Sequence, residues 1–432
     1  MMGDRMKQIK DGYKATEIGV IPEDWEVKEL ASFVEANSYG PRFNAKLYNE
    51  NGNCRVIRGT DVINNGKVNY RNIPVALIPE EILDKHMLLK NDLVVVTTAD
   101  CGISFIFNEE GVFMPSAYMV RIRFNSEINP DFVCLFFNTK IIKKQVMSHI
   151  RKGTIANLPG SDLLKFKILF PSLLEQQRIA EILSTTDAHI EKLDAIIKGT
   201  QLLKKGMMQK LLTLGIGHTE FKDSEIGRIP KVWEVRRLKE ITILITKGTT
   251  PSSVGFSFQK EGVNFIKVEN IDSNGNIDKD STPKISQKCN NKLSRSIIQK
   301  NDILVSIAGT IGRSAIVNSN ILPANTNQAL AIVRLKNCDT VDTKYVNFTF
   351  SSEYFNSYIK AIKTVGAQPN MNLEQLQDYL LALPNIQEQI EISNILSEFD
   401  KLLNLYKQEK KDFIQLKRGL MDQLLTGKIR VI

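Results

Sequence analysis

Two kinds of hydrophobic pattern alternate along the chain. Over the first 170 residues, and again over 228–383, apolar residues come in short β-branched runs such as "DLVVV" at 92–96 and "DILVS" at 302–306. Turn residues punctuate them, with Asn-Gly at 65–66 and 274–275. That pattern predicts strands joined by tight turns, hence β-rich α+β globules. Elsewhere the apolar positions recur at steps of three and four. Ile179, Ile182, Thr186, Ile190, Leu193 and Ile197 form one such series, continued less regularly by Leu203, Met207 and Leu211; Ile392, Ile395, Phe399, Leu402, Tyr406, Phe413, Leu416, Leu420 and Leu424 form another. Both predict long helices with a coiled-coil stripe. A helix over 172–213 would run about 60 Å at ~1.5 Å per residue, and so narrow a stripe needs a partner. The division predicted is a globule over 1–170, a helix over 171–214, a linker over 215–227, a globule over 228–383 and a helix over 384–428.

The two halves repeat. "FPSLLEQQRIAEILSTTD" at 170–187 meets "LPNIQEQIEISNILSEFD" at 383–400, with eight identities in the seventeen positions from Pro171 to Asp187. "EIGVIPEDWEVKEL" at 17–30 meets "EIGRIPKVWEVRRL" at 225–238 with nine identities in fourteen, and both tryptophans of the chain, Trp25 and Trp233, fall there. Each stretch reads as the start of a strand with a Trp anchoring a core. Lys90-Asn91-Asp92 falls on Lys300-Asn301-Asp302, and Gly102 on Gly312. Ser172 with Glu175, and Asn385 with Glu388, have capping-box spacing just after a proline. The natural partner of each helix is therefore the other copy. Antiparallel pairing would give the chain a pseudo-twofold axis and set the globules at opposite ends.

Composition narrows the picture modestly. The 432 residues are 42% hydrophobic and 24% charged, with a net charge of +9 that favours a polyanionic partner. The N-terminus lacks the apolar run of a signal peptide, and no run is long enough to span a membrane. Cys54, Cys101, Cys134, Cys289 and Cys338 show neither zinc nor disulfide spacing, so free thiols in a reducing cytoplasm are expected.

The order globule, helix, globule, helix, with "P-x-L/I-x-EQ…ILSxxD" opening each helix and "KRGLMDQLLTGKIRV" closing the chain, resembles the DNA specificity subunit of type I restriction–modification systems. One departure stands out: the first helix ends "LLTLGIGHTEF" instead of "LLTGKI". The resemblance implies two target-recognition domains, each reading half of a bipartite, asymmetric double-stranded DNA sequence. It implies spacer helices that dock two methyltransferase subunits, a restriction–translocation subunit joining them, and S-adenosylmethionine held by the methyltransferase partner, with no cofactor in this chain.

Candidate chemistry is sparse. Gly215-x-Gly217 and "AGTIG" at 308–312 lack the strand–GxGxxG–helix pattern. "NPDF" at 129–132 and "DTKY" at 342–345 read as helix starts, and Glu26-Val27-Lys28 as a surface strand. His86, His149, His189 and His218 have no metal spacing. DNA reading calls for basic and polar residues on loops. The candidates in the first globule are Arg58, Thr60, Thr97, Thr98, Arg151, Lys152 and Thr154. In the second they are Lys267, Asn270, Ser306, Asn325, Thr326, Asn327, Gln328, Lys363, Thr364 and Gln368. The leading expectation is a non-catalytic DNA specificity subunit. The alternatives are a stand-alone methyltransferase or nuclease, and a coiled-coil protein scaffold.

Overall fold

The computed structural model describes residues 10–63, 66–151, 153–272, 274–336, 339–362 and 370–431. They fall into two compact units: residues up to Lys192 together with those from Glu409 onward, and residues Leu193–Gln408. The boundary lies inside the two long helices, Leu173–Leu214 and Ile386–Leu424, so each unit holds a globule and one end of each helix. The helices are thus parts of the two folding bodies, where the sequence pattern sets them apart as separate segments. The expected linker over 215–227 is also shorter than predicted, because Phe221–Ser224 already pairs with Gly227–Pro230 as a hairpin of the second unit.

In the first unit Glu26–Glu29 pairs antiparallel with Lys167–Phe170, the strand that leads into the long helix. A four-stranded antiparallel sheet follows the order Val34–Tyr39, Met119–Phe124, Leu93–Val96, Ser104–Ile106. A smaller mixed sheet joins Val75–Ala76, Cys54–Ile57 and Phe113–Pro115, the last two in parallel. The second unit repeats this topology. Glu234–Arg237 pairs with Leu380–Leu383. Its four strands are Thr242–Lys247, Leu330–Leu335, Ile303–Ser306 and Ser314–Ile316, and its mixed sheet joins Lys284–Ile285, Val263–Ile266 and Ala324–Thr326.

The apolar runs explain why these strands are central. Leu93, Val94, Val95 and Val96 are all buried, because side chains alternate between two covered faces. Leu93 and Val95 join a core with Phe132 and Phe136 of the helix Pro130–Phe137, while Val94 and Val96 join one with Ile57 and Phe105. Ile303 and Val305 divide from Leu304 in the same way. The recurring Lys-Asn-Asp turn also has a physical reason. Asn91 and Asn301 adopt left-handed φ of 71° and 67°, a conformation asparagine tolerates. Behind them Asp92 and Asp302 are buried and bind Arg123 and Arg334 through paired hydrogen bonds of 2.7–2.9 Å.

Helix pairing is visible inside each unit. In the first, Lys417 meets both carboxylate oxygens of Asp187 at 2.6 Å, and His189 packs on Phe413 with ring centroids 4.1 Å apart. In the second, Lys204 meets Asp400 at 2.5 Å, and Leu211 and Leu212 share a core with Ile392 and Leu396. Numbers rise on one helix as they fall on the other, so the pairing is antiparallel. Both Trp25 and Trp233 are fully buried.

Candidate nucleic-acid interface

The paired glutamates organise each unit. Ser172 and Asn385 cap their helices, accepting from the Glu175 and Glu388 backbone N–H at 3.3 and 3.0 Å. The glutamate side chains turn instead into the core. Trp25 Nε1–H donates to Glu175 Oε2 at 3.0 Å, and Trp233 Nε1–H to Glu388 Oε2 at 3.1 Å. A buried carboxylate needs charge or further donors. Arg430 supplies them to Glu175, with Nε and Nη2 at 2.7 and 2.9 Å, while its Nη1 and Nη2 also bind Asp24. Glu388 accepts from the Ile216 backbone N–H at 3.0 Å and lies 2.8 Å from His218 Nε2. The "GKIRV" ending and the "GIGH" linker are therefore equivalent docking segments, and the departure in sequence is a change of partner for one carboxylate. Gly215, the first residue past its helix, and Gly427, at the end of the turn that follows Leu424, take left-handed φ of 64° and 70°, which turns the chain away from each helix. The neighbouring glutamines fix the rest: Gln176 Oε1 accepts from Asn129 N–H at 2.8 Å and Gln389 Oε1 from Asp342 N–H at 2.9 Å. Asn129 and Asp342 are helix N-caps, in keeping with "NPDF" and "DTKY" as helix starts.

Upon this frame the candidate reading residues separate into two groups. Thr97 is buried, donating to Tyr118 O at 3.0 Å. Asn270 is buried and accepts from Lys267 N–H at 2.9 Å. Ser306 donates to Thr310 O at 2.6 Å, and Asn325 bonds Ser296, Asn290 and the Leu293 carbonyl. Thr326 donates to Ile266 O at 2.8 Å. These five have their polar groups satisfied within the protein and present no edge to a ligand, which corrects their reading as surface candidates. They are polar because strand ends and turns of the buried sheets need local partners.

The remaining described candidates lie at the surface. Arg58 and Thr60 are exposed at the turn that follows Cys54–Ile57; Arg58 grips Asp61 at 2.8 and 3.0 Å, which pre-orients its guanidinium. Lys267 holds the same place in the second unit, beside Glu269 and 5.0 Å from the Phe258 ring centroid. Thr98 and Arg151 come together, since both bridge to Asn157 while Ala99 N–H bonds Ala156 O at 2.9 Å and Leu158 N–H bonds Thr97 O at 2.8 Å; Thr154 is exposed nearby in the chain. Gln328 accepts from Thr250 at 2.8 Å, and Asn327 caps its own turn. Lys152, Lys363, Thr364 and Gln368 lie outside the described residues.

Among the described residues no cluster of three His, Cys, Asp or Glu could hold a metal, and no helix is long and apolar enough to cross a membrane. The fold and surface define a tandem-repeat recognition protein, in which a frame repeated in each unit displays a different set of polar side chains. Comparison with known proteins agrees. The type I restriction modification DNA specificity domain matches twice, over residues 22–198 and 230–415. The chain belongs to that family and is a non-catalytic DNA specificity subunit of a type I restriction–modification system. It is 30% identical over 436 residues to a putative type I restriction enzyme MjaX specificity subunit of Methanocaldococcus jannaschii, covering 98% of this chain and 97% of that one. It is 27% identical to the MjaVIII specificity subunit of the same organism, covering 95% and 94%. The fold is similar to the crystal structure of a type I S subunit from M. genitalium, with a TM-score of 0.56, 16% identity, and 93% and 96% of the two chains covered.

Proposed function

We propose that the two globules read two unlike half-sites of a bipartite DNA target, and that the paired helices dock two methyltransferase subunits. A restriction–translocation subunit then joins the assembly in the cytoplasm. S-adenosylmethionine belongs to the methyltransferase partner. One observation carries this reading: equivalent exposed positions on the repeated frame hold different residues. Arg58 and Thr60 stand where the second unit has Lys267 and Glu269, and Thr98 and Ala99 where it has Ala308 and Gly309. Identical readers would specify a palindrome; unlike readers specify an asymmetric site. Phosphate contacts set register and bases set sequence, so the basic residues and the polar turns have separate duties.

The test is to assemble the full chain with its methyltransferase subunit and map methylated bases. Replacing Arg151 and Lys152 with Ala is expected to lower the salt slope of binding by roughly one per lost phosphate contact, or to relax bases in one half-site where they read bases. Equal relaxation of both half-sites would contradict the two-reader assignment.

A further inference from the structure

Tyr118 is the most exposed aromatic side chain among the described residues, at 57%. Buried tyrosines of this chain satisfy their hydroxyls internally, as Tyr345 does at Ala382 O (2.8 Å) and Tyr379 at Thr349 O (3.2 Å). The Tyr118 ring contributes to no core cluster of the first unit. A lone exposed ring is ordinary on a protein surface. The ground beneath this one is not. Thr97 N–H and Oγ1 both hold the Tyr118 carbonyl, at 2.9 and 3.0 Å, and Thr97 O in turn accepts from Leu158 N–H. The turn leading to it is pressed on Gly40, where any Cβ would collide with the carbonyl oxygens of Pro115 and Ser116. Ala99, in the same lattice of hydrogen bonds, is held at φ 63°, where its counterpart in the second unit is Gly309 at φ 72°. Alanine tolerates that conformation only when its surroundings impose it, and such strain collects at binding sites.

A segment bonded to the same Thr97 backbone carries a second exposed apolar side chain. Ile155, 62% exposed, sits on the segment 153–158 that is bonded to Thr97 and Ala99. Thr98 and Arg151 both bridge to Asn157 of that segment. Two apolar groups set among donors match the major-groove edge of a T·A pair, whose distinguishing apolar mark is the thymine 5-methyl. At the equivalent backbone position, where Ile307 N–H bonds the carbonyl at 2.9 Å, the second unit has Ala329. We propose that Tyr118, with Ile155, determines specificity in the first half-site by packing on a thymine 5-methyl group. This rests on the two-reader function proposed above and adds the chemical feature that one reader recognises.

The experiment uses the full chain assembled with its methyltransferase subunit and duplexes of the mapped site in which each thymine is replaced singly by deoxyuridine. Loss of one methyl contact at one first-half thymine is expected to weaken binding roughly fourfold, the worth of one buried methyl group. In Tyr118→Ala and Ile155→Ser the thymine-to-deoxyuridine ratio at that position should fall toward one, while ratios in the second half-site stay as they were. Tyr118→Phe should keep the discrimination. The proposal is overturned if no first-half thymine is sensitive, if the first half-site contains none, or if Tyr118→Ala retains the native ratio. If Arg151→Ala still affects only the first half-site in that case, the two-reader function stands and only the thymine assignment falls.

Discussion

The two buried glutamates occupy the same position in their units and are given different partners. Glu175 meets a guanidinium that reaches it from the last residues of the chain and is shared with Asp24. Glu388 meets an imidazole and a backbone N–H from the segment following the first long helix. Both tryptophans donate to their glutamate in the same way. What the repeat retains, then, is the carboxylate–indole bond and the docking of a post-helical segment; the side chain that this segment brings is free to change. Arginine gives a forked, permanently charged donor set, whereas the second unit divides the task between a side chain and the backbone.

The largest effect is expected from removing the element that both units share. Trp25→Ala or Trp233→Ala deletes a fully buried indole and one donor to a buried carboxylate, and each should cost about 3–5 kcal/mol. Denaturant unfolding followed by circular dichroism should then gain an early phase. Fluorescence of the remaining tryptophan, in the intact unit, should not report that phase. A single unshifted transition in either variant would mean that the indole does not anchor its unit.

Removing the distinctive partner should do less. Arg430→Ala leaves Glu175 with the Trp25 indole alone, at about 2–3 kcal/mol for lost hydrogen bonds to a charged group. It should also alter the acid limb. Arg430 hydrogen-bonding holds the Asp24 carboxyl below its ordinary value, so the folded pKa lies under the unfolded one. That contribution is fully present above about pH 4 and is lost as pH falls through the lower folded value. Stability measured from pH 5 to pH 2 should fall less steeply in Arg430→Ala than in the native chain. An unchanged slope would separate Asp24 from this network.

Much of this frame is legible in the sequence. Repetition of matched stretches in the same order discloses the two globules and the two helices, because a repeated fold repeats its apolar spacing. Trp25 and Trp233 stand out as anchors, and Asn129 and Asp342 as helix starts. Glu175 is legible only in part: the spacing from Ser172 is right for a capping box, and half of that box forms, yet the carboxylate is claimed by a tryptophan 150 positions away in the chain. Local spacing cannot register so distant a competitor. Nor can it rank Thr97, Ser306 and Asn325 against Thr98 and Arg151. All are polar residues near turns, and only the position of the covering sheet decides which face water. Tyr118 escapes any search for hydrogen-bonding side chains, because such a search excludes an aromatic ring. Its signal is the mismatch with Ala329 on otherwise matched strands.

The smallest effect is expected at the partner peculiar to the second unit. His218→Ala removes one neighbour from Glu388 but leaves two donors in place: Ile216 N–H on Oε1, and Trp233 Nε1–H on Oε2. The carboxylate thus keeps one hydrogen bond on each oxygen. Arg430→Ala instead takes away the donor on Glu175 Oε1 and leaves only Trp25 Nε1–H on Oε2. His218 also packs edge-on to Trp233, with ring centroids 6.1 Å apart, and that contact is lost as well. The expected cost is about 1 kcal/mol, the usual net value of one hydrogen bond. It should therefore be clearly smaller than that of Arg430→Ala, with both variants measured in the same denaturant series on the full chain. Equal costs would show that the backbone donor at Ile216 contributes nothing to holding Glu388. A still larger cost for His218→Ala would mean that the linker, not the chain end, is the tighter of the two docked segments.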